Sequence, residues 1–281
     1  MILNFILKVI KEATTKMNKQ KQLAKIYRDI KEIKIQGATN IAKSALEAYS
    51  ILQTKSTIRK LISLRPTEPM LQNVLAKLDK KEDKNKILNH FQEAQDKINK
   101  EVLNLIKNKD IIFTHCHSTN VVKALIYAHK KSRKFEVYNT ETRPLFQGRK
   151  TARELSSAGI NITQFVDSAI LIAMKKTNKV FLGADAILKN GDVINKVGSG
   201  MISEIAKDNK IPVYIIADSW KFTKKNIEME QRNPGEIWDN VPKNIKIKNP
   251  AFEKVRGKNI TAIVSELGVL TPREFLRRVG G

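Results

Sequence analysis

I-I-F-T-H-C-H-S-T-N, residues 111–120, decides how the second part of the chain is read. Three apolar residues, two of them β-branched, run straight into polar groups and two candidate helix caps, Ser118 and Thr119. Such a run predicts a short buried strand that opens into a helix. The same grammar repeats downstream. Helical spacing covers 120–131, 150–158, 168–174 and 202–208, and short β-branched runs cover 135–138, 160–166, 179–182 and 212–217. Strands alternating with helices predict a mainly parallel sheet with helices on both faces.

Upstream, apolar residues recur three and four apart, as at Leu23, Ile26, Ile30 and Ile33, which predicts helices. Breaks fall at Gly37 and at L-R-P-T-E-P, residues 64–69, where Thr67 precedes a helix start. The charge run at 78–86 reads as a solvated helix end or turn. The expected fold is therefore α/β, with an N-terminal helical domain over 1–109 and a Rossmann-like domain over 110–281. The active site is expected in the crevice between them. The tail from 226 reads as loop-rich, closing with one strand and a short helix within A-I-V-S-E-L-G-V-L-T-P-R-E-F.

The 281 residues carry 52 basic and 28 acidic groups, a net charge of +24. That field attracts polyanions. The lysines are spread along the whole chain, and no RNA-binding motif or aromatic-interleaved basic stripe accompanies them. The charge supports non-specific nucleic-acid affinity only. The single cysteine cannot form an internal disulfide, so a reducing, cytoplasmic setting is expected. The oily start M-I-L-N-F-I-L-K-V-I lacks a charged leader region and is broken by Asn4 and Lys8. It is too short to span a bilayer, and no membrane association is expected. It reads as a helix burying one face, against a partner subunit in a homo-oligomer.

In an open α/β sheet, ligands bind outside the carboxyl ends of the strands. Four polar segments fall there: T-H-C-H-S-T-N, the 139–152 stretch, the 183–200 stretch, and D-S-W-K-F at 218–222. Cys116 admits three readings: small buried hydrophobe, metal ligand, or reactive thiol. A helix N-terminus beside it would favour thiolate. A zinc site is poorly served by adjacent H-C-H ligands, and the other histidines are the distant His90 and His129. Neighbours in a strand point to opposite faces, so His115 and His117 would aim away from the sulfur. Asp185 is a turn cap or a reactive carboxylate. Asn190-Gly191 between apolar pairs predicts a two-residue hairpin, which would project Asp185, Asn195 and Lys196 into the crevice. Val197-Gly198-Ser199-Gly200 then opens a helix whose free N–H groups suit a phosphate. Arg143, Lys150 and Lys221 add cations at strand ends.

T-H-C-H-S, E-T-R-P-x-x-Q-G-R-x-T-A, G-A-D-A-I-x-x-N-G-D-V-I-N-K-V-G and D-S-W-K-F together resemble a superfamily with three branches. These are the regulatory subunits of translation initiation factor 2B, methylthioribose-1-phosphate isomerase, and archaeal ribose-1,5-bisphosphate isomerase. The resemblance spans the chain and includes I-Q-G-A-T-N-I-A at 35–42 and L-R-P-T at 64–67. A cysteine in the first motif with an aspartate in G-A-D is similar to the isomerases. G-A-D-A and H-C-H-S are closest to the ribose-1,5-bisphosphate branch. I-Q-G-A-T departs from the R-G-A-G-type motif of the isomerases, which leaves one arginine contact to a phosphate unmatched.

That resemblance implies an aldose–ketose isomerase making ribulose 1,5-bisphosphate for RuBisCO in archaeal nucleoside monophosphate (AMP) salvage. It makes Cys116 the base at C2 and Asp185 the acid or proton relay. One phosphate is assigned to Ser118 and Thr119 with Lys221 and Arg65. The other falls to Gln36, Gly37, Ala38 and Thr39 with Asn195 and Lys196. Arg143 joins the substrate-binding set. No metal and no cofactor is called for. The family habit implies dimers assembled into hexamers. The alternatives are a non-enzymatic regulatory subunit of the initiation-factor type and a methylthioribose-1-phosphate isomerase.

Overall fold

A computed structural model describes the backbone of residues 2–35 and 37–280; side chains are described over 11–280, except at 12, 13, 15, 16 and 36. The apolar face expected over residues 1–10 therefore lies outside the described side chains, as does Gln36. The chain forms two compact units, 1–88 and 89–281. Sequence spacing puts the boundary at 109 instead. The two differ because one amphipathic helix, Lys84–Leu105, contributes to both units, and its uninterrupted periodicity hides the division.

The first unit holds α1 (Ile2–Lys31), α2 (Ala38–Ile51), α3 (Lys55–Leu64), α4 (Pro69–Asp79) and the start of α5 (Lys84–Leu105). Leu23, Ile26 and Ile30 are buried as their spacing predicts. Ile33 lies past the helix end, in the left-handed region at φ 59°. Pro69 starts α4 from its first turn, where its missing N–H costs nothing. Among the described residues, no helix is long and apolar enough to cross a membrane.

The second unit begins with the rest of α5. It continues through β1 (Ile111–Thr114), α6 (Thr119–Lys130), β2 (Glu136–Thr140), α7 (Gln147–Ser157), β3 (Asn161–Phe165), α8 (Ile170–Met174) and β4 (Lys179–Leu182). The antiparallel hairpin β5 (Ala186–Leu188) and β6 (Val193–Lys196) forms at the expected place, but its register leaves a three-residue loop, Lys189, Asn190 and Gly191, rather than the two-residue turn that the dipeptide predicts. Then come α9 (Ser199–Asp208), β7 (Val213–Ile216), β8 (Phe222–Thr223), β9 (Phe252–Val255), β10 (Ala262–Ser265), β11 (Gly268–Leu270) and α10 (Pro272–Gly280).

The large sheet runs β11-β10-β7-β4-β1-β2-β3. Every pair in it is parallel except β10 with β11. The chain steps outward from β1 to β2 and β3, then returns to β4 on the other flank of β1. The order reverses between β1 and β4, and a crevice opens at such a switch point. Period-two alternation divides the core between the two faces. Phe113, Val180, Leu182, Ile215 and Ile263 face Ile202 and Ala206 of α9 and Phe275 of α10. Ile112, Val137, Phe181, Ile216 and Val264 face Val121 and Leu125 of α6 and Leu155 of α7. Phe113 and Phe181 are fully buried, and truncating either to alanine costs about 3–5 kcal/mol.

A second sheet, β8-β5-β6-β9, departs from the sequence reading of a loop-rich tail. F-E-K-V of β9 is too short and too polar to stand out, and its strand character comes from pairing with β6. The final strand is likewise a hairpin, β10 with β11, turning through Glu266 and Leu267 into Gly268, which opens β11 at φ 109°.

Candidate active site

The ends of β1 and β4 approach closely. A Cβ on Gly183 would lie 2.6 Å from Cβ of Ser118 and 3.9 Å from Oδ1 of Asn195. Glycine is required there for proximity rather than for its dihedral angles. Ser118 caps α6 and Asn195 lies on β6, so three elements converge just past the switch point.

Cys116 sits on the first of them with φ 65°, a region that side-chain-bearing residues enter at a cost of about 1–2 kcal/mol. Its backbone is held from both sides. The Cys116 N–H donates to Oγ1 of Thr142 at 3.0 Å, and Oγ1 of Thr151 donates to the Cys116 carbonyl at 2.7 Å. Thr142 is itself left-handed at φ 61°. Its N–H and that of Arg143 donate to the two carboxylate oxygens of Asp167, at 2.9 and 2.7 Å. The E-T-R-P and Q-G-R-K-T-A motifs thus supply the clamp that aims the thiol. A Cβ on Gly148 would come within 1.7 Å of the Thr140 carbonyl, so α7 can carry Thr151 to Cys116 only with glycine at that point.

Burial pushes the Cys116 thiol up to about 12. Lys196 and the backbone N–H of His117 pull it down, while Asp185 and Asp167 add to the rise. The helix terminus alone predicts the opposite direction. Cys116 as a residue is only half-buried, but the desolvation falls on its sulfur, where a thiolate loses water and gains one buried ammonium in exchange. Lys196 is 5% exposed. Asp185 opens the hairpin, its N–H donating to the Ile194 carbonyl at 2.8 Å. Asp185 and Lys196 therefore bracket the base of β5–β6, and both act electrostatically on the sulfur.

The other expected residues fall as follows. Ser118 accepts from the Val121 N–H at 3.5 Å, and Thr119 is the first residue of α6. The Asn195 amide donates to Oγ of Ser199 at 2.8 Å, fixing the start of α9. Lys221 is buried, its ammonium 2.6 Å from the Ala184 carbonyl and 3.5 Å from Oδ1 of Asn120. Arg143 is exposed and donates to the Ile237 carbonyl at 3.2 Å. Glu236, beside that carbonyl, is paired with Arg232 at 2.8 Å, and Lys196 contributes to holding its carboxyl low. Gly37, Ala38, Thr39 and Arg65 belong to the first unit. Gly37 precedes α2 at φ 84°, Ala38 and Thr39 begin that helix, and buried Arg65 pairs with Glu68 at 3.0 Å.

Residues 115–117 lie past the end of β1, with Cys116 left-handed, so strand alternation does not set the directions of the two histidines; each has its own partner. His117 meets Glu154 at 3.2 Å. His115 meets Thr140 and the Val197 carbonyl. Thr142, Thr151 and Asp167 were not singled out from sequence. Their bonds join residues 24 to 35 positions apart, a separation that no local pattern encodes.

His90, Asp218 and Glu266 form a second polar cluster, at the ends of β7 and β10, with ligand-type atoms all within 4.8 Å of one another. They are the groups that could hold a divalent cation among the described residues. Their atoms already have partners. His90 Nε2 donates to the Asp218 carboxylate at 3.1 and 3.2 Å, Glu266 accepts from the N–H and hydroxyl of Ser219, and the His90 ring stacks on Trp220 at 3.6 Å.

The profile of the Initiation factor 2 subunit family matches residues 3–272. Ribose 1,5-bisphosphate isomerase of Methanocaldococcus jannaschii is 34% identical, covering 92% of this chain and 94% of the relative. 5-Deoxyribose 1-phosphate isomerase of Clostridium botulinum is 35% identical over 65% of this chain and 59% of its own. Among solved structures, the translation initiation factor eIF-2B of Pyrococcus horikoshii OT3 superposes with a TM-score of 0.79 at 26% identity, covering 89% of this chain and 97% of that one. The chain belongs to the Initiation factor 2 subunit family.

Proposed function

We propose that this chain, a sugar-phosphate isomerase, converts ribose 1,5-bisphosphate to ribulose 1,5-bisphosphate, with Cys116 and Asp185 moving the protons. The observation that carries the reading is a clamped thiol at the switch point, with Asp185 and the buried ammonium of Lys196 both acting on it beside Asp167. The resemblance of 92% of the chain to an enzyme named for that substrate supports the choice of sugar.

Opening the ribose ring requires a proton on the ring oxygen. Forming the ketose then requires loss of the C2 proton, gain of one at C1, and loss of the O2 proton. The balance closes if Cys116 carries the proton from C2 to C1 and Asp185 gives one to the ring oxygen and takes one from O2. That scheme starts with a single proton shared by the pair, residing on Asp185. In the ligand-free site the proton rests on sulfur, because burial holds the thiol near 12. Substrate entry must therefore move it to the carboxylate, and Lys196 and the His117 N–H are the groups that favour the thiolate. The free N–H groups at Ser118-Thr119 and the ammonium of Lys196 supply anion-binding positions for phosphate.

The test is direct. Purified protein is incubated with ribose 1,5-bisphosphate and, separately, with methylthioribose 1-phosphate, and ketose is measured. Product from the first substrate supports the proposal. Product from the second alone moves the chain to the methylthioribose branch. Product from neither, with co-purification of an initiation factor, assigns it a regulatory role.

A further inference from the structure

The proposed chemistry uses neither histidine of H-C-H, yet His115 is among the most tightly held side chains of the second unit. It is 3% exposed. Nε2 lies 2.8 Å from the Val197 carbonyl, which can only accept, so that nitrogen carries the proton. Nδ1 lies 2.5 Å from the Thr140 hydroxyl, which then donates to it. Burial keeps the ring below its ordinary pKa; the Val197 bond and Asp167 oppose this, and Lys196 reinforces it. The ring is thus neutral, in one tautomer, with both nitrogens occupied.

The far end of this strut is the turn between β6 and α9. That turn is built around the imidazole. Gly198 has φ 103°, and a Cβ there would lie 2.9 Å from Nε2 of His115. Val197 directly follows Lys196, the cation that draws the thiol down, and Gly198 caps the helix that Asn195 ties through Ser199. The near end is the paired termini of β1 and β2, where Thr114 stands opposite Asn139. One ring therefore spans from the end of β1, next to Cys116, to the turn that follows Lys196.

We propose that His115 is a positioning residue: its neutral Nε2–H tautomer tethers the Val197 carbonyl and so fixes Lys196 relative to Cys116. The inference rests on the proposed reading that Cys116 and Lys196 serve the isomerisation. It excludes a general-acid or general-base role for His115, whose nitrogens have no lone pair or proton left for substrate.

A double-mutant cycle on the full chain tests it. His115→Leu removes both hydrogen bonds at similar volume, and His115→Gln retains a donor and an acceptor. His115→Leu is expected to lower kcat/KM for ribose 1,5-bisphosphate about 10- to 100-fold, with His115→Gln restoring most of the loss. In a Lys196→Met background the same His115→Leu change should cost little, because it acts through the ammonium already removed. Equal losses in both backgrounds overturn the proposal, as does wild-type turnover in His115→Leu. Iodoacetamide alkylation of Cys116, the only cysteine in the chain, reads the same cycle without any substrate. If wild-type protein makes no ketose but the alkylation cycle is non-additive, the isomerase reading falls and the positioning role stands. If ketose forms and both cycles are additive, the reverse holds. Should His115→Leu fail to fold, His115→Gln and Gly198→Ala perturb the same contact from its two sides, and alkylation unchanged in both sinks the idea.

Discussion

Two polar clusters occupy the same end of the same sheet, and they are built on different terms. At the end of β7, His90, Asp218, Glu266 and Ser219 bond to one another, and Trp220 stacks over the histidine. Burial and then Asp218 raise the Glu266 carboxyl, while Ser219 opposes them. At the end of β1, the hydrogen bonds go to the backbone of Cys116, through Thr142 and Thr151. The side chain is left to the fields of Lys196, Asp185 and Asp167. A cluster that satisfies its own side chains holds elements together. A cluster that clamps the backbone and leaves a titratable atom half-buried among charges is arranged for chemistry.

The contrast can be broken in four ways, from the largest effect to the smallest. Cys116→Ser and Asp185→Asn should each lower kcat by about 10²- to 10⁴-fold with substrate binding largely kept; steady-state kinetics with a binding isotherm decides, and full turnover in either variant removes that residue from the mechanism. Gly148→Ala drives a methyl into the Thr140 carbonyl. It should lower unfolding free energy by about 3 kcal/mol or more, read from the denaturant midpoint. His90→Phe keeps the ring on Trp220 but takes a donor from Asp218. It should cost about 1–3 kcal/mol of stability with kcat at the wild-type level, and a kinetic defect would mean that the β7 cluster belongs to the reaction after all. Lys196→Met should push the thiol higher still and slow alkylation of Cys116 about tenfold for each unit gained.

The pH dependence of that alkylation fixes the sign. The thiolate is the nucleophile, and a thiol held near 12 is almost wholly protonated at neutral pH. The rate should climb about tenfold per unit from about pH 7 to about pH 10, where an ordinary cysteine would already level off. For stability the sign is opposite. A thiol that ionises at 9.0 when unfolded and near 12 when folded contributes fully below 9.0, and that contribution is lost as pH rises toward 12.

The parallel sheet was legible because its strands are short β-branched runs separated by helical spacing, and I-I-F-T-H-C-H carries both halves of that signal. The place of the hairpin, though not its three-residue loop, was legible from Asn190-Gly191 alone. β8 and β9 were not, since F-T and F-E-K-V become strands only through their neighbours in the second sheet. The placement of Cys116 beside Asp185 and Lys196 follows from strand ends and topology. Its environment does not. The threonine clamp and the close approach of Gly148 are long-range facts, and the direction of the thiol pKa depends on dehydration, which no helix-terminus argument contains. Gln36 lies outside the described residues, and Arg65 and the Gly37–Thr39 group belong to the first unit.

One feature of the hairpin reaches further. Asp185 precedes β5 and Lys196 ends β6, so acid and ammonium are the two feet of a single bracket. Its tip is pinned as well. A Cβ on Gly191 would lie 3.2 Å from Pro272 of α10, and one on Gly257 would lie 2.8 Å from the Gly191 carbonyl. Two of the charges that act on the thiol therefore share one mount, the β5–β6 hairpin. Their common position is set along the strands by β8 and β9, with Lys196 paired to Phe252, and at the tip by the close approach of Pro272 and Gly257.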